Sequence, residues 1–148
     1  MIMEREELLK RVGLFSGLKD SDIRSLAEFC TERSFKKGDT MVTQGEPGVG
    51  LFIIEAGKVK ILKRTLSGHD LEVAVLGPGE FFGEMSVLDD APRSASVVAL
   101  ENTVCLFLTA WDFNARLKVH PEIALQILPF VVRRFRETNE RLLALSGL

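Results

Sequence analysis

Hydrophobic positions change their period twice along this chain. In residues 4–12, Leu8, Leu9 and Val12 fall on one side of a short amphipathic helix, which Gly13 ends. Leu14-Phe15-Ser16-Gly17-Leu18 is apolar and punctuated by glycine. Asp20-Ser21-Asp22 then offers an N-cap, and Ile23, Leu26, Ala27 and Cys30 follow at helical spacing. From Thr31 to Leu108 the helical period disappears. Short apolar runs alternate with turns, and glycines stand at 38, 45, 48, 50, 57, 68, 77, 79 and 83. This spacing predicts an antiparallel sandwich or barrel rather than βαβ units, with strands over residues 33–36, 40–43, 51–56, 58–65, 71–76, 95–99 and 103–109. Glu55-Ala56-Gly57-Lys58 is expected to turn one hairpin and Ser67-Gly68-His69-Asp70 the next. Gly77-Pro78-Gly79-Glu80 turns the chain toward Phe81 and Phe82.

Past Leu108 the helical period returns. Trp111-Asp112-Phe113 starts a helix that ends near Val119-His120, and Pro121 occupies the first turn of the next, where its missing N–H does little harm. Ile123, Ile127, Val131 and Phe135 recur at four-residue steps, and Leu142 and Leu145 continue the stripe. Pro129 inside this pattern predicts a kink or break near residues 125–128. A long terminal helix that stays apolar into its last turns suits contact with a second copy.

The 148 residues are 46% hydrophobic, enough for one domain with a real core. A net charge of −2 argues against a dominant electrostatic grip on nucleic acid. Cys30 and Cys105 lie in apolar runs without metal-ligand spacing and read as buried, reduced thiols, which fits a cytoplasmic protein. No run approaches a membrane span, and the acidic, amphipathic first ten residues do not look like a signal or transit peptide. His69 and His120 have no partner at metal or triad spacing, and no metal cluster or positioned base is visible for phosphodiester hydrolysis. The expectation is no catalytic residue, no metal and no cofactor. The Arg133, Arg134, Arg136 and Arg141 face reads as solvated or paired with Glu137 and Glu140.

The densest chemistry lies in residues 82–96. Gly83 lets the backbone come close to a ligand. The N–H groups that follow are free if a helix starts there. Arg93 offers a planar fork of donors matched to phosphate oxygens, and Ser94 adds a hydroxyl and an N–H. Glu84 would be repelled by a phosphate but can accept from sugar hydroxyls. Together they point to a small anion carrying a sugar. A structural ion pair between Glu84 and Arg93 is the plainer alternative.

The run Phe82-Gly83-Glu84-Met85-Ser86 with Ala91-Pro92-Arg93-Ser94-Ala95-Ser96-Val97 resembles the phosphate-binding cassette of cyclic-nucleotide-binding domains, of the catabolite-activator and protein-kinase-A-regulatory-subunit type. Leu14-Phe15-Ser16-Gly17-Leu18, Phe35-Lys36-Lys37-Gly38-Asp39, Gln44-Gly45-Glu46 and Phe52-Ile53-Ile54-Glu55-Ala56-Gly57-Lys58-Val59 are similar to the family's other landmarks. The resemblance implies a mainly β fold: an antiparallel jelly-roll β-barrel, or double-stranded β-helix, flanked by short N-terminal helices and a long C-terminal helix. One domain would fill 1–148, with helices in 1–30, the β-roll in 31–110 and the closing helices in 111–148.

It also implies a sensor of a cyclic mononucleotide, cyclic AMP or cyclic GMP. Arg93, the Ser94 hydroxyl and the N–H groups of Met85, Ser86 and Ala95 would hold the phosphate. The Gly83 N–H and Glu84 would hold the ribose. Val73 and its strand neighbours would face the purine. Thr138 and Asn139 match positions that contact adenine in the catabolite activators, one of them from the partner subunit. Arg134 would approach either the nucleotide or that partner. The C-terminal helix would close over the base and form a homodimer seam. Ser94 does not exclude guanine, whereas Thr138 and Asn139 favour adenine. The chain stops at Leu148 without room for a helix-turn-helix, so it reads as a stand-alone sensor or as the effector-binding half of a transcription regulator. A degenerate β-roll that only dimerises is the third reading.

Overall fold

The computed structural model describes residues 4–147. The first three residues of the acidic N-terminal segment and Leu148 lie outside the described residues. Helix α1 (Arg5–Arg11) buries Leu8 and Leu9, and a 3-10 turn, Gly13–Phe15, follows. At Gly13 an added Cβ would stand 2.6 Å from the Phe130 ring, so the glycine admits close packing by the C-terminal helix. Helix α2 (Asp20–Phe29) starts at Asp20, with Lys19 rather than an acidic residue at its N-cap and no side-chain cap bond. The Lys19 N–H instead donates to Gln126 Oε1 at 3.0 Å, and Asp20 and Asp22 stand in the first turn, where the helix dipole favours negative charge.

Eight strands follow among the described residues: β1 (Thr31–Phe35), β2 (Thr40–Val42), β3 (Gly50–Ala56), β4 (Val59–Arg64), β5 (Asp70–Leu76), β6 (Phe81–Phe82), β7 (Ser96–Ala99) and β8 (Thr103–Thr109). They form two four-stranded antiparallel sheets, ordered β1-β8-β3-β6 and β2-β7-β4-β5. The fold is a jelly-roll sandwich and not a closed barrel. Only the β4–β5 connection joins neighbours in one sheet, and Gly68, at φ +86°, makes its tight turn. The hairpin expected at Gly57 is not one, because β3 and β4 belong to different sheets. Gly57 has φ +103° and lies hard against Asn102 and Thr103, so it turns a corner between sheets. Strand β6 was not among the expected strands. It is two residues long, and it pairs Phe82 with Phe52 and Phe81 with Ile53.

β3 and β8 are buried on both faces. Between the sheets, Phe52 stacks on Phe82 at 5.0 Å and meets Phe107 at 4.6 Å, with Ile54, Val59, Val97 and Cys105 around them. On the outer face, Leu51, Ile53, Leu106 and Leu108 pack against α1, α2 and the two last helices. Burial pushes both Cys30 and Cys105 thiols up to about 12, as expected of enclosed, unreactive side chains.

Helix α3 (Ser86–Asp89) is a single turn, and α4 (Ala110–Val119) is capped by Thr109, whose Oγ1 accepts from the Asp112 N–H at 3.0 Å. Helix α5 runs unbroken from Glu122 to Leu145. Of the kink or break expected near residues 125–128, the break does not occur. Pro129 faces outward with Leu125 and Leu128, so the lost hydrogen bond lies on the solvent side, where water can replace it. Ile123 and Ile127 anchor the first two turns, and the helix from Val132 onward is exposed.

Candidate functional site

The core between the sheets opens into a cavity of about 420 Å³. Val42, Ile61, Leu76, Phe82 and Val97 form its apolar wall. The segment from Gly83 to Ala95 forms the rest, with Glu84, Asp89 and Arg93 as its charged groups. Gly83 has φ +83°, and a Cβ there would collide with Arg93 Nη1 and lie 2.8 Å from the Gly50 carbonyl oxygen. Only glycine allows the chain to turn in this space.

The return arm is pinned at several points. The Arg93 N–H donates to the Glu46 carbonyl and the Gly45 N–H donates to the Arg93 carbonyl, each at 2.8 Å. Ser96 Oγ accepts from the Gln44 N–H at 2.9 Å. These bonds hold the loop open around the cavity. Among the described residues, the backbone N–H groups of Gly83, Glu84, Met85, Ser94 and Ala95 donate to no protein acceptor. Backbone donors in native folds are rarely left unpaired unless water or a ligand serves them. The Ser86 N–H differs, since it already donates to the Gly83 carbonyl at 3.2 Å.

Arg93 is only 8% exposed. Its Nη1 donates to Ser86 Oγ at 3.1 Å and its Nη2 to the Gly50 carbonyl at 2.6 Å. Burial draws its pKa below the ordinary value, and the Glu84 carboxylate partly opposes this. No carboxylate lies within 4.0 Å of its nitrogens among the described residues, so Glu84 and Arg93 do not form the structural ion pair that was the plainer alternative. The guanidinium is buried with neutral acceptors and an adjacent cavity. An anion there would meet a fork of donors in a site where water screens little.

Seven residues predicted as ligand-binding are therefore brought together: Gly83, Glu84, Met85, Ser86, Arg93, Ser94 and Ala95 all line the cavity. Four are not. Val73 is 51% exposed and outside the lining, at the register shift where β5 slips against β4 between Ile61 and Leu62. The apolar wall is supplied instead by Val42, Ile61, Leu76 and Val97, one from each strand of the β2-β7-β4-β5 sheet. Arg134, Thr138 and Asn139 stand on the exposed part of α5. Thr138 Oγ1 donates to the Arg134 carbonyl at 2.9 Å, and the Arg134 guanidinium sits 5.6 Å from the Phe130 ring centre. Asp89, not predicted, also lines the cavity, and its Oδ1 accepts from the Ala91 N–H at 3.0 Å.

Comparison with known proteins gives three findings. The family model for the cyclic nucleotide-binding domain matches residues 32–120. Among curated proteins, the chain is 34% identical over 137 residues to a CRP-like cAMP-activated global transcriptional regulator of Mycobacterium tuberculosis, covering 93% of this chain and 61% of that protein. It is 36% identical over 138 residues to the cyclic AMP receptor protein of Thermus thermophilus, covering 93% of this chain and 64% of the relative. The chain thus spans less than two thirds of either regulator. Among solved structures, the N-terminal domain of a transcriptional regulator from Streptomyces coelicolor A3(2) superposes with a TM-score of 0.81 at 37% identity, covering 90% of this chain and 95% of that one.

Proposed function

We propose that this chain, which belongs to the cyclic nucleotide-binding domain family, is a non-enzymatic sensor whose cavity takes cyclic AMP. The observation that carries the reading is the set of N–H groups from both arms of the cassette that, among the described residues, find no protein acceptor, gathered beside a buried guanidinium with no carboxylate partner among those residues. In this reading Arg93, the Ser94 hydroxyl and the Met85 and Ala95 N–H groups take the single phosphate charge. The Gly83 N–H and Glu84 take the ribose. Ser86 contributes through its side chain, because its N–H is already engaged. The purine lies along Ile61, Leu76 and Val42. Two relatives whose names specify cyclic AMP support adenine over guanine. Ser94, beside the arginine, is chemically close to the threonine that suits guanine and so leaves cyclic GMP as a weaker ligand.

Calorimetric titration of the chain with both nucleotides tests this. The expected result is one site per chain, at least ~10-fold tighter for cyclic AMP, which is about 1.4 kcal/mol. Heat from cyclic GMP alone would transfer the assignment to guanine, and heat from neither would remove it.

The same reading assigns α5 a part in the response. Leu125, Leu128, Val132, Phe135, Leu142 and Leu145 are at least half exposed along it. A second copy of the chain is proposed to cover this row and to bring Thr138 and Asn139 to the base. A ligand that touches cassette and helix together shifts the population of closed molecules. Sedimentation equilibrium should find dimers at micromolar concentration, and a monomer throughout would exclude this part. The regulators' DNA response belongs to longer proteins, and its presence here is a proposal that needs a nucleic-acid-binding segment outside these residues. No helix among the described residues is long and apolar enough to cross a membrane.

A further inference from the structure

The support beneath the Arg93 guanidinium is a serine hydroxyl. Ser86 is 7% exposed, and its Oγ lies 2.6 Å from the Gly83 carbonyl, 3.2 Å from the Gly50 carbonyl and 3.1 Å from Arg93 Nη1. A hydroxyl has one proton to donate. The shortest contact gives it to Gly83, which leaves the lone pairs for Arg93. Of the five guanidinium N–H groups, the protein therefore holds one on each terminal nitrogen, through Ser86 and through Gly50. Gly48 packs closely against the serine, since a Cβ added there would lie 2.7 Å from the Ser86 Cβ and 3.3 Å from its Oγ. Arginine otherwise carries large rotamer freedom, which a ligand would have to quench. Ser86→Ala would leave Nη1 buried without an acceptor, so the guanidinium would turn toward water or another carbonyl.

We propose that the Ser86 hydroxyl is a positioning residue that fixes the orientation of Arg93 before ligand arrives, and thereby decides which exocyclic oxygen of a cyclic phosphate the guanidinium grips. This rests on the cyclic-nucleotide reading of the cavity. The test compares the parent chain with Ser86→Ala. Calorimetry measures binding of cyclic AMP and of its two phosphorothioate diastereomers, each carrying sulfur at a different exocyclic position. Nitrogen-15 spectra of the ligand-free proteins report exchange of the Arg93 guanidinium protons.

In Ser86→Ala, cyclic AMP affinity is expected to fall roughly three- to tenfold. The ratio of the two diastereomer affinities should change by a similar factor, and the guanidinium signals protected in the parent should be lost to exchange. A general loosening of the fold would weaken both diastereomers alike, so the ratio separates orientation from stability. Ser86→Cys, of nearly the same size but a weak acceptor, should fall between. An unchanged ratio with unchanged guanidinium signals, while the parent binds cyclic AMP, overturns the positioning role and leaves the proposed function standing. A parent that binds no cyclic nucleotide removes the proposed function instead. The free-protein spectra then decide the anchor alone: loss of protection in Ser86→Ala supports it, and equal protection in both proteins overturns it.

Discussion

Arg93→Ala is expected to weaken cyclic AMP binding by roughly 30- to 150-fold, or about 2–3 kcal/mol. The parent cavity sets one buried cation against two lining carboxylates, Glu84 and Asp89. Without the cation a phosphate enters a poorly hydrated space whose remaining charged groups repel it, with only neutral N–H donors to receive it. The fold should survive. The variant loses the two hydrogen bonds that Arg93 donates to Ser86 Oγ and to the Gly50 carbonyl, each worth about 1 kcal/mol net. It also removes a charge that burial disfavours, the cause of the lowered Arg93 pKa. Binding and stability should therefore separate. Arg93→Lys should recover part of the affinity, since it keeps the charge and loses the fork. Calorimetry with a parallel melting curve checks both. Unchanged affinity in a folded Arg93→Ala protein would show that the guanidinium does not meet the ligand.

Gly83→Ala should be at least as damaging, for a different reason. Its φ of +83° is strained for any residue with a Cβ, at about 1–2 kcal/mol. The added methyl also has no place to go: Arg93 Nη1 stands in it and the Gly50 carbonyl lies 2.8 Å away. Forced overpacking of this kind adds about 1–3 kcal/mol. Either the guanidinium is expelled or the cassette moves off β3, and both outcomes dismantle the proposed phosphate site. Binding is expected to fall beyond about 100-fold, together with a drop of about 2–5 kcal/mol in stability. Gly68→Ala supplies the control. It has a similar φ of +86° but nothing within 4 Å of an added Cβ, so it should show the backbone strain alone and keep its ligand. If the two variants unfold and bind alike, the crowding at Gly83 is not what shapes the site.

Much of this arrangement was readable from the chain. The spacing of glycines, with apolar runs too short for helices between them, predicted a β-structure, and two antiparallel sheets are present. Residues 82–96 hold enough fixed residue types to be read together, and Gly83, Glu84, Arg93 and Ser94 do surround one cavity. What the chain concealed was long-range. Gly57 has the same positive φ whether it turns a hairpin or a corner, and only the neighbouring Asn102 and Thr103 decide between them. Strand β6 is too short to show alternation and exists because Phe82 stacks on Phe52. The resemblance put Val73 against the purine, but it is the residue left over where β5 slips against β4, and it stays exposed with Leu71 and Val75 while Leu76 faces the cavity. Pro129 suggested a kink or break because sequence cannot say which side of the helix meets solvent. The Ser86–Gly50 support under Arg93 joins residues 36 positions apart in the chain, and no local pattern signals it.

In the proposed complex Arg93 takes the charge of a cyclic nucleotide while Glu84 takes its sugar. A double-mutant cycle between Glu84→Ala and removal of the ribose 2′-hydroxyl, using cyclic AMP and its 2′-deoxy analogue, separates the two roles. A hydrogen bond to a charged acceptor predicts that the parent prefers cyclic AMP by at least ~10-fold, about 1.5–3 kcal/mol, and that Glu84→Ala abolishes the preference. Equal discrimination by the two proteins would place the sugar away from Glu84 and contradict the proposed division of the ligand between Glu84 and Arg93.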